Sequence, residues 1–281
     1  MYGTIRRRVV VTVLVVPVLL VISGCSNLFT GNMFTNFDGP PSASDLASRY
    51  TDDEGRVSGE DADNFVNDVD DAAGSSRFFD DLSDTDRTNL TGSLKSVYDN
   101  PDVDEETRQR AAVLAADVTL RGADSGETIN NVADVLTSSE GADSFSDPGQ
   151  LLDQIIPDSA KDDPEAIQKI LDDMVAAADA YDALGDSLKD EDGDGTIDNT
   201  PDGTNMTEVA QKAAVAMVVR NIVDQDADGS GDLAERIANG TVGDAGYTDP
   251  LSGDDGANSD GSAFNNILKA GGLDGFFDSD A

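Results

Sequence analysis

Residues 224 to 235 read DQDADGSGDLAE, and residues 190 to 203 read DEDGDGTIDNTPDG. In each run aspartates recur at alternate positions and a glycine follows the third of them. The chemistry open to such spacing is the capture of a hard cation. Calcium takes six to eight oxygen ligands at about 2.3–2.6 Å. Alternation turns three carboxylates to one side of a tight turn, and glycine permits the sharp bend that closes it. The acidic candidates are Asp224, Asp226, Asp228, Asp232 and Glu235 in the first run, and Asp190, Asp192, Asp194 and Asp198 in the second.

The run at 224–235 resembles an EF-hand calcium loop. Asp224, Asp226 and Asp228 fall at positions 1, 3 and 5, Gly229 at 6, Asp232 at 9 and Glu235 at 12. The resemblance implies that Ser230, at position 7, ligates through its carbonyl, and that Glu235 closes the cage with both oxygens. One departure is Gly231 at position 8, where the family carries a branched aliphatic that pairs the loop with a partner.

The run at 190–201 resembles the loops of EF-hands, dockerins and thrombospondin type 3 repeats. Asp190, Asp192, Asp194, Gly195, Thr196, Ile197 and Asp198 match positions 1 to 9, with the aliphatic in place and Thr196 as the carbonyl ligand. Position 12 is Pro201, which has no side-chain ligand, and Asp202 comes one place late. Both loops are expected to bind Ca2+. The 22 residues between them match the separation in paired EF-hands, yet that stretch reads as one unbroken helix.

The background must be weighed. The chain has 47 aspartates and only 10 glutamates, so a run of alternating aspartates is cheap. Glycine at position 6 of both loops and a scarce glutamate at position 12 of one are not. A third cluster, DDGANSDG at 254–261, lacks an acid at position 1 and reads as a loop.

Other chemistries are poorly served. The 281 residues contain no histidine and one cysteine, Cys25, which removes the commonest general base, the commonest transition-metal ligand and any disulfide. No glycine-rich phosphate loop, nucleophile elbow or zinc signature occurs. Paired carboxylates could hydrolyse glycosides, but aromatics are only 5% of the chain, too few for a sugar cleft. The protein is not expected to be an enzyme.

The first residues carry an address. Arg6, Arg7 and Arg8 precede an apolar run from Val9 to Ile22. Fourteen residues span about 21 Å as a helix, short of the roughly 30 Å hydrocarbon core, so the run reads as the h-region of a signal peptide. Ile22-Ser23-Gly24-Cys25 resembles the lipobox of prokaryotic lipoproteins, with Ile for the usual Leu. The arginine run followed by Val9 and Val10 loosely resembles a twin-arginine export signal. The lipobox resemblance implies a cleaved signal at 1–24, lipid on Cys25 and a mature chain held to the membrane at the cell surface or in the periplasm, with acyl chains enough for stable anchoring.

Without the three signal arginines, 15 basic residues face 57 acidic ones, a net charge of −42. Nucleic acid and anionic lipid surfaces are repelled by such a chain. The preference for aspartate over glutamate resembles the proteins of salt-loving microbes. At molar salt the repulsion is screened within ~3 Å.

A flexible tether is expected over residues 25–45, with GPPS at 39–42, and then an acidic domain over 46–281. Its fold class is expected to be all-α: an irregular multi-helix domain of 7 to 10 helices with the calcium loops in its C-terminal third. The strongest pattern runs from Pro164 to Leu188, with Asp163 as N-cap and Ile167, Ile170, Leu171, Met174, Val175, Ala178 and Tyr181 at intervals of three and four. A second helix is expected from Val103 to Arg121, capped by Asp102, and a third over 127–136. Weaker patterns lie at 59–73 and 86–99. The segment 205–223 is apolar nearly all round, as a buried helix is. No 34-residue repeat appears, which leaves a solenoid over 86–188 as a weak alternative.

Three sequons, at Asn89, Asn205 and Asn239, could accept glycans in an exported protein. The expected role is that of a lipid-anchored extracytoplasmic calcium-binding protein, structural or interactive at the cell surface, its protein partner unknown. The alternatives are a helical, solenoid-like lipoprotein that binds a solute or partner for a transporter, and a halophilic surface lipoprotein without specific metal.

Overall fold

The computed structural model describes residues 41–75, 78–79, 81–121, 128, 131, 148–225, 229–241 and 262–273. Among these the chain is helical: α1 (Ala43–Tyr50), α2 (Ala62–Ala73), α3 (Asp84–Tyr98), α4 (Glu105–Arg121), α5 (Pro148–Ile155), α6 (Pro164–Ser187), α7 (Met206–Gln225), α8 (Ser230–Ala238) and α9 (Ala263–Ala270). The one β feature in them is an isolated antiparallel bridge between Thr51 and Val57. The expected all-α class is therefore the observed one. Residues 1–40, with the stretch expected to be a signal peptide, Cys25 and most of the expected tether, lie outside the described residues. Among the described residues no helix is long and apolar enough to cross a membrane.

The helix starts follow from local chemistry. Ser42 opens α1 with a capping box, its hydroxyl accepting from the Asp45 amide and its own amide donating to the Asp45 carboxylate. That helix begins inside the stretch expected to be tether, because GPPS ends in a cap. Asp163 accepts from the amides of Glu165 and Ala166, and Pro164 supplies a first helical residue that has no N–H to satisfy. At α4 the cap is Asp104, which accepts from Thr107 at 2.9 Å, and not Asp102. The Asp102 amide instead closes a turn on the Asn100 side chain. Of the helix expected over 127–136, only Thr128 and Asn131 are described, both helical.

The axis of the packing is α6. It lies against α4, α7, α8 and α9, while α3 and α2 cover α4, and α1 lies on α2 and α3. In a solenoid each unit touches only its neighbours in sequence; α6 touches helices from both sides of the chain. Its buried face is Ile167, Ile170, Leu171, Met174, Ala177, Ala178, Tyr181 and Leu184, close to the expected stripe. Val175 is only half-buried, at the edge of that stripe. Helix α7 buries a dozen residues around its whole circumference, as its all-round apolar sequence requires. Small residues let the axes close up: Ala111, Ala112, Ala115 and Ala116 of α4 and Ala210, Ala213, Ala214 and Ala216 of α7 are all buried.

Candidate metal site

The segment between α6 and α7 holds the second of the two aspartate runs. The chain leaves α6 at Leu188, which is extended and buried. The helix end is then closed by side chains from elsewhere. Asn266 of α9 donates to the carbonyls of Gly185 (3.0 Å) and Leu188 (3.4 Å), and Asn199 donates to that of Ser187 (2.8 Å). The loop is pinched at its base, where the Lys189 amide donates to the Asn199 side chain at 2.6 Å and the Asp198 amide to the Lys189 carbonyl at 2.9 Å. The same Asn199 amide reaches Glu105 in the first turn of α4, and the Lys189 ammonium pairs with that carboxylate as well.

Above this base the carboxylates are oriented by backbone N–H groups. Asp190 accepts from Gly193 at 2.7 Å and Gly195 at 2.9 Å, one oxygen each. Asp192 accepts from the Asp194 amide, and Asp194 from the Thr196 amide. The Thr196 hydrogen bonds, its backbone amide first, hold the Asp194 carboxyl below its ordinary range. Gly193 and Gly195 have φ of +76° and +90°, in the left-handed region where a side chain is strained. Alternate Asp and Gly thus lets the chain curl while every second side chain faces inward. Ile197, the aliphatic expected to anchor the loop, is buried.

The result is one group of three carboxylates, Asp190, Asp192 and Asp194, whose oxygens lie within 4.8 Å of one another. Two ligands of a single calcium ion at 2.3–2.6 Å can be at most about 5 Å apart, so the spacing fits one ion. Among the described residues no Lys or Arg pairs with any of the three; Lys189 at their base is turned to Glu105. Asp198 is not in the group, because its carboxylate accepts from the Glu191 amide at 2.9 Å across the mouth of the loop. Pro201 is buried, and Asp202 is exposed outside the cluster. Position 12 therefore supplies no acid.

The run at 224–235 is placed differently. Asp226 and Asp228 lie outside the described residues. Asp224 is exposed on the last turn of α7, and Ser230 is the first residue of α8, its hydroxyl donating to Asp172 of α6 at 2.6 Å. Asp232 is paired with Arg236 one turn on, at 2.7 Å, and Glu235 is exposed. The four described candidates form no cluster of their own. The two runs occupy opposite ends of α7, whose 20 residues make about 30 Å. One unbroken helix joins them, as the sequence pattern implied.

Two further polar groups had no signal in the sequence. On α7, Lys212 is 11% exposed between Asp117 of α4 (2.8 Å) and Glu208 (2.9 Å), with the fully buried Tyr181 hydroxyl near them and without a hydrogen-bond partner. Burial alone would push the Lys212 ammonium down, but the carboxylates of Asp117 and Glu208 outweigh it and hold the group charged. Between α3 and α6, Arg87 is buried and paired with Asp84, which also receives Lys169 at 3.2 Å. Beside them burial raises Asp173 to about 6, although Arg87 and Lys169 pull it down. Each is an ion cluster that ties helices together.

No protein-family model, curated protein or solved structure matches this chain.

Proposed function

We propose that this is an exported protein, anchored through lipid on Cys25, whose helical domain is stiffened by calcium at the loop 190–198. The observation that carries the reading is the convergence of the Asp190, Asp192 and Asp194 oxygens within 4.8 Å, with no cationic side chain of the described residues paired to them. Three like charges so placed repel one another, and backbone N–H groups hold them in position all the same. An ion at that point would relieve the repulsion only in the folded loop, where the three are brought together.

The location supports a structural role. The loop's base ties the end of α6 to the start of α4 through Asn199, Glu105 and Lys189. Rigidity at the loop is passed directly to the helix about which the domain is packed. Modules of this kind outside the cell bind calcium at roughly 10⁻⁴–10⁻³ M, which in millimolar calcium means standing occupancy. A ligand at ten times its dissociation constant adds about 1.4 kcal/mol to the folded state, worth roughly 3–6 °C in midpoint for a domain of this size.

Thermal unfolding of the chain from residue 26 onward, in molar salt, tests this with calcium against equal magnesium. A midpoint raised by calcium and not by magnesium, with the rise lost in Asp190→Asn and Asp194→Asn, is the expected outcome. An equal response to both ions, unchanged in those variants, would favour the other reading, a salt-adapted acidic surface without specific metal.

A further inference from the structure

Three Asn-X-Thr sequons compete for one possible modification, and their surroundings separate them. Transfer of a glycan requires the asparagine amide and the hydroxyl two residues later to be offered to one enzyme on one accessible face. In an α-helix residues i and i+2 point away from each other. Asn89 and Thr91 sit in the middle of α3, and the Thr91 hydroxyl is buried. Asn205 caps α7 by accepting from the Glu208 amide, and the Thr207 hydroxyl is fastened to the Gly271 carbonyl of the segment after α9 at 3.0 Å. Both sequons are used up by the fold.

The third is not. Asn239 is the C-cap of α8, and Gly240 follows with φ +66°. The Thr241 amide donates back to Arg236 and the Gly240 amide to Ile237, which is the left-handed glycine termination of a helix. The chain has therefore left the helix within the sequon itself, and Asn239, Gly240 and Thr241 are all exposed. The Asn239 backbone N–H donates to the Glu235 carbonyl, but its side-chain amide makes no hydrogen bond to any described residue, and the Thr241 hydroxyl makes only a long one, 3.3 Å, to the Arg236 carbonyl.

We infer that Asn239 is an N-glycosylation site, modified on the outer face of the membrane from a lipid-phosphate-linked oligosaccharide. In the transfer the Asn239 side-chain nitrogen bonds to the anomeric carbon of the first sugar. The bond from that carbon to the lipid phosphate oxygen breaks, the phosphate keeps the electron pair, and the amide nitrogen gives up one proton to solvent. The donor is charged and lipid-bound, and only an exported chain meets it, so the inference rests on the export reading above.

Mass spectrometry of the full-length protein purified from the cells that make it is the test, with the tryptic fragment from Ile237 to Lys269 carrying the answer. The expected result is a sugar mass on Asn239, absent from Asn239→Gln and from Thr241→Ala, and unaffected by Asn89→Gln or Asn205→Gln. Asn239 found bare, found as aspartate, or passed over in favour of Asn89 or Asn205 overturns the inference. The N-terminal fragment in the same experiment judges the export reading separately. A lipidated Cys25 beside a bare Asn239 defeats the glycan and leaves export standing, whereas an uncleaved signal defeats export.

Discussion

Gly185 of α6 lies so close to Ala263 that a Cβ at 185 would overlap the Ala263 carbonyl oxygen. Helix α9 is thus seated directly on the backbone of α6, and Asn266, one turn further along, closes the α6 carbonyls. Gly185→Ala sets two effects against each other. Alanine is favoured over glycine inside a helix by about 1 kcal/mol, while forced overlap in a packed contact costs typically 1–3 kcal/mol. The overlap here is with backbone, which cannot swing aside, so Gly185→Ala is expected to lower the thermal midpoint. Gly92→Ala is the control: it is on the exposed side of α3 with nothing near its missing Cβ, and it should raise the midpoint slightly. A rise in both would mean that α9 is not seated as described.

Lys212 and Tyr181 lead to opposite expectations although they are neighbours. Lys212→Met leaves Asp117 and Glu208 facing each other in a half-buried site, and breaking such a buried pair costs about 3–5 kcal/mol. Tyr181→Phe removes a buried hydroxyl that has no partner, and so releases a desolvated group instead of orphaning one. Chemical denaturation should show a large loss for the first variant and a neutral or stabilising change for the second.

Asp173 is expected to set part of the pH dependence of stability. Its ordinary value is 3.8 and burial in the fold raises it to about 6, so the folded state holds the proton more tightly than the unfolded one. Stability from this group is fully present below about pH 4 and is lost as pH rises through about 6. The charges around it are Arg87 and Asp84 on α3 and Lys169 and Asp172 on α6. Asp173→Asn mimics the protonated form. The difference in midpoint between variant and parent should be small at pH 4 and should favour the variant increasingly up to pH 7. A difference that does not change with pH would refute the assignment.

Asn199→Ala removes the side chain that Ser187, Lys189 and Glu105 share. Deleting one partner of part-buried hydrogen bonds costs about 1–3 kcal/mol through the groups left behind. The variant should unfold at a lower midpoint and also require more calcium to reach half of its calcium-induced rise. Loss of the first without the second would confine Asn199 to holding the helix ends.

How much of this could be read beforehand depends on the range of the interaction. The 164–187 helix was legible because cap, first-turn proline and apolar stripe are all local to it. The turn that brings Asp190, Asp192 and Asp194 together was legible for the same reason, since its bonds run between residues two to five apart. Asp104 replaced Asp102 as the α4 cap because two aspartates flank Val103 and only the burial of Val103 selects between them. The short helices at 148–155 and 263–270 gave too few turns for a period to show. Glu105 as a partner of Asn199, and Asn266 as the closure of α6, are contacts over 94 and 81 residues, and nothing local marks them. The run at 224–235 fits its motif better than its neighbour does, yet Ser230 and Asp232 are drawn to Asp172 and Arg236, partners that the motif does not include.

The hydrogen bond from Asn199 to Glu105 also has a thermodynamic corollary. Glu105 stands in the first turn of α4 and remains reachable from outside. Anything that engages it there, such as a basic segment of a neighbouring protein, competes for the same two bonds that brace the base of the loop. Coupling of this kind is reciprocal: whatever factor the neighbour imposes on ion affinity, the ion imposes on the neighbour. Under the calcium reading proposed above, such a contact at Glu105 would be felt at the loop with no helix having to move.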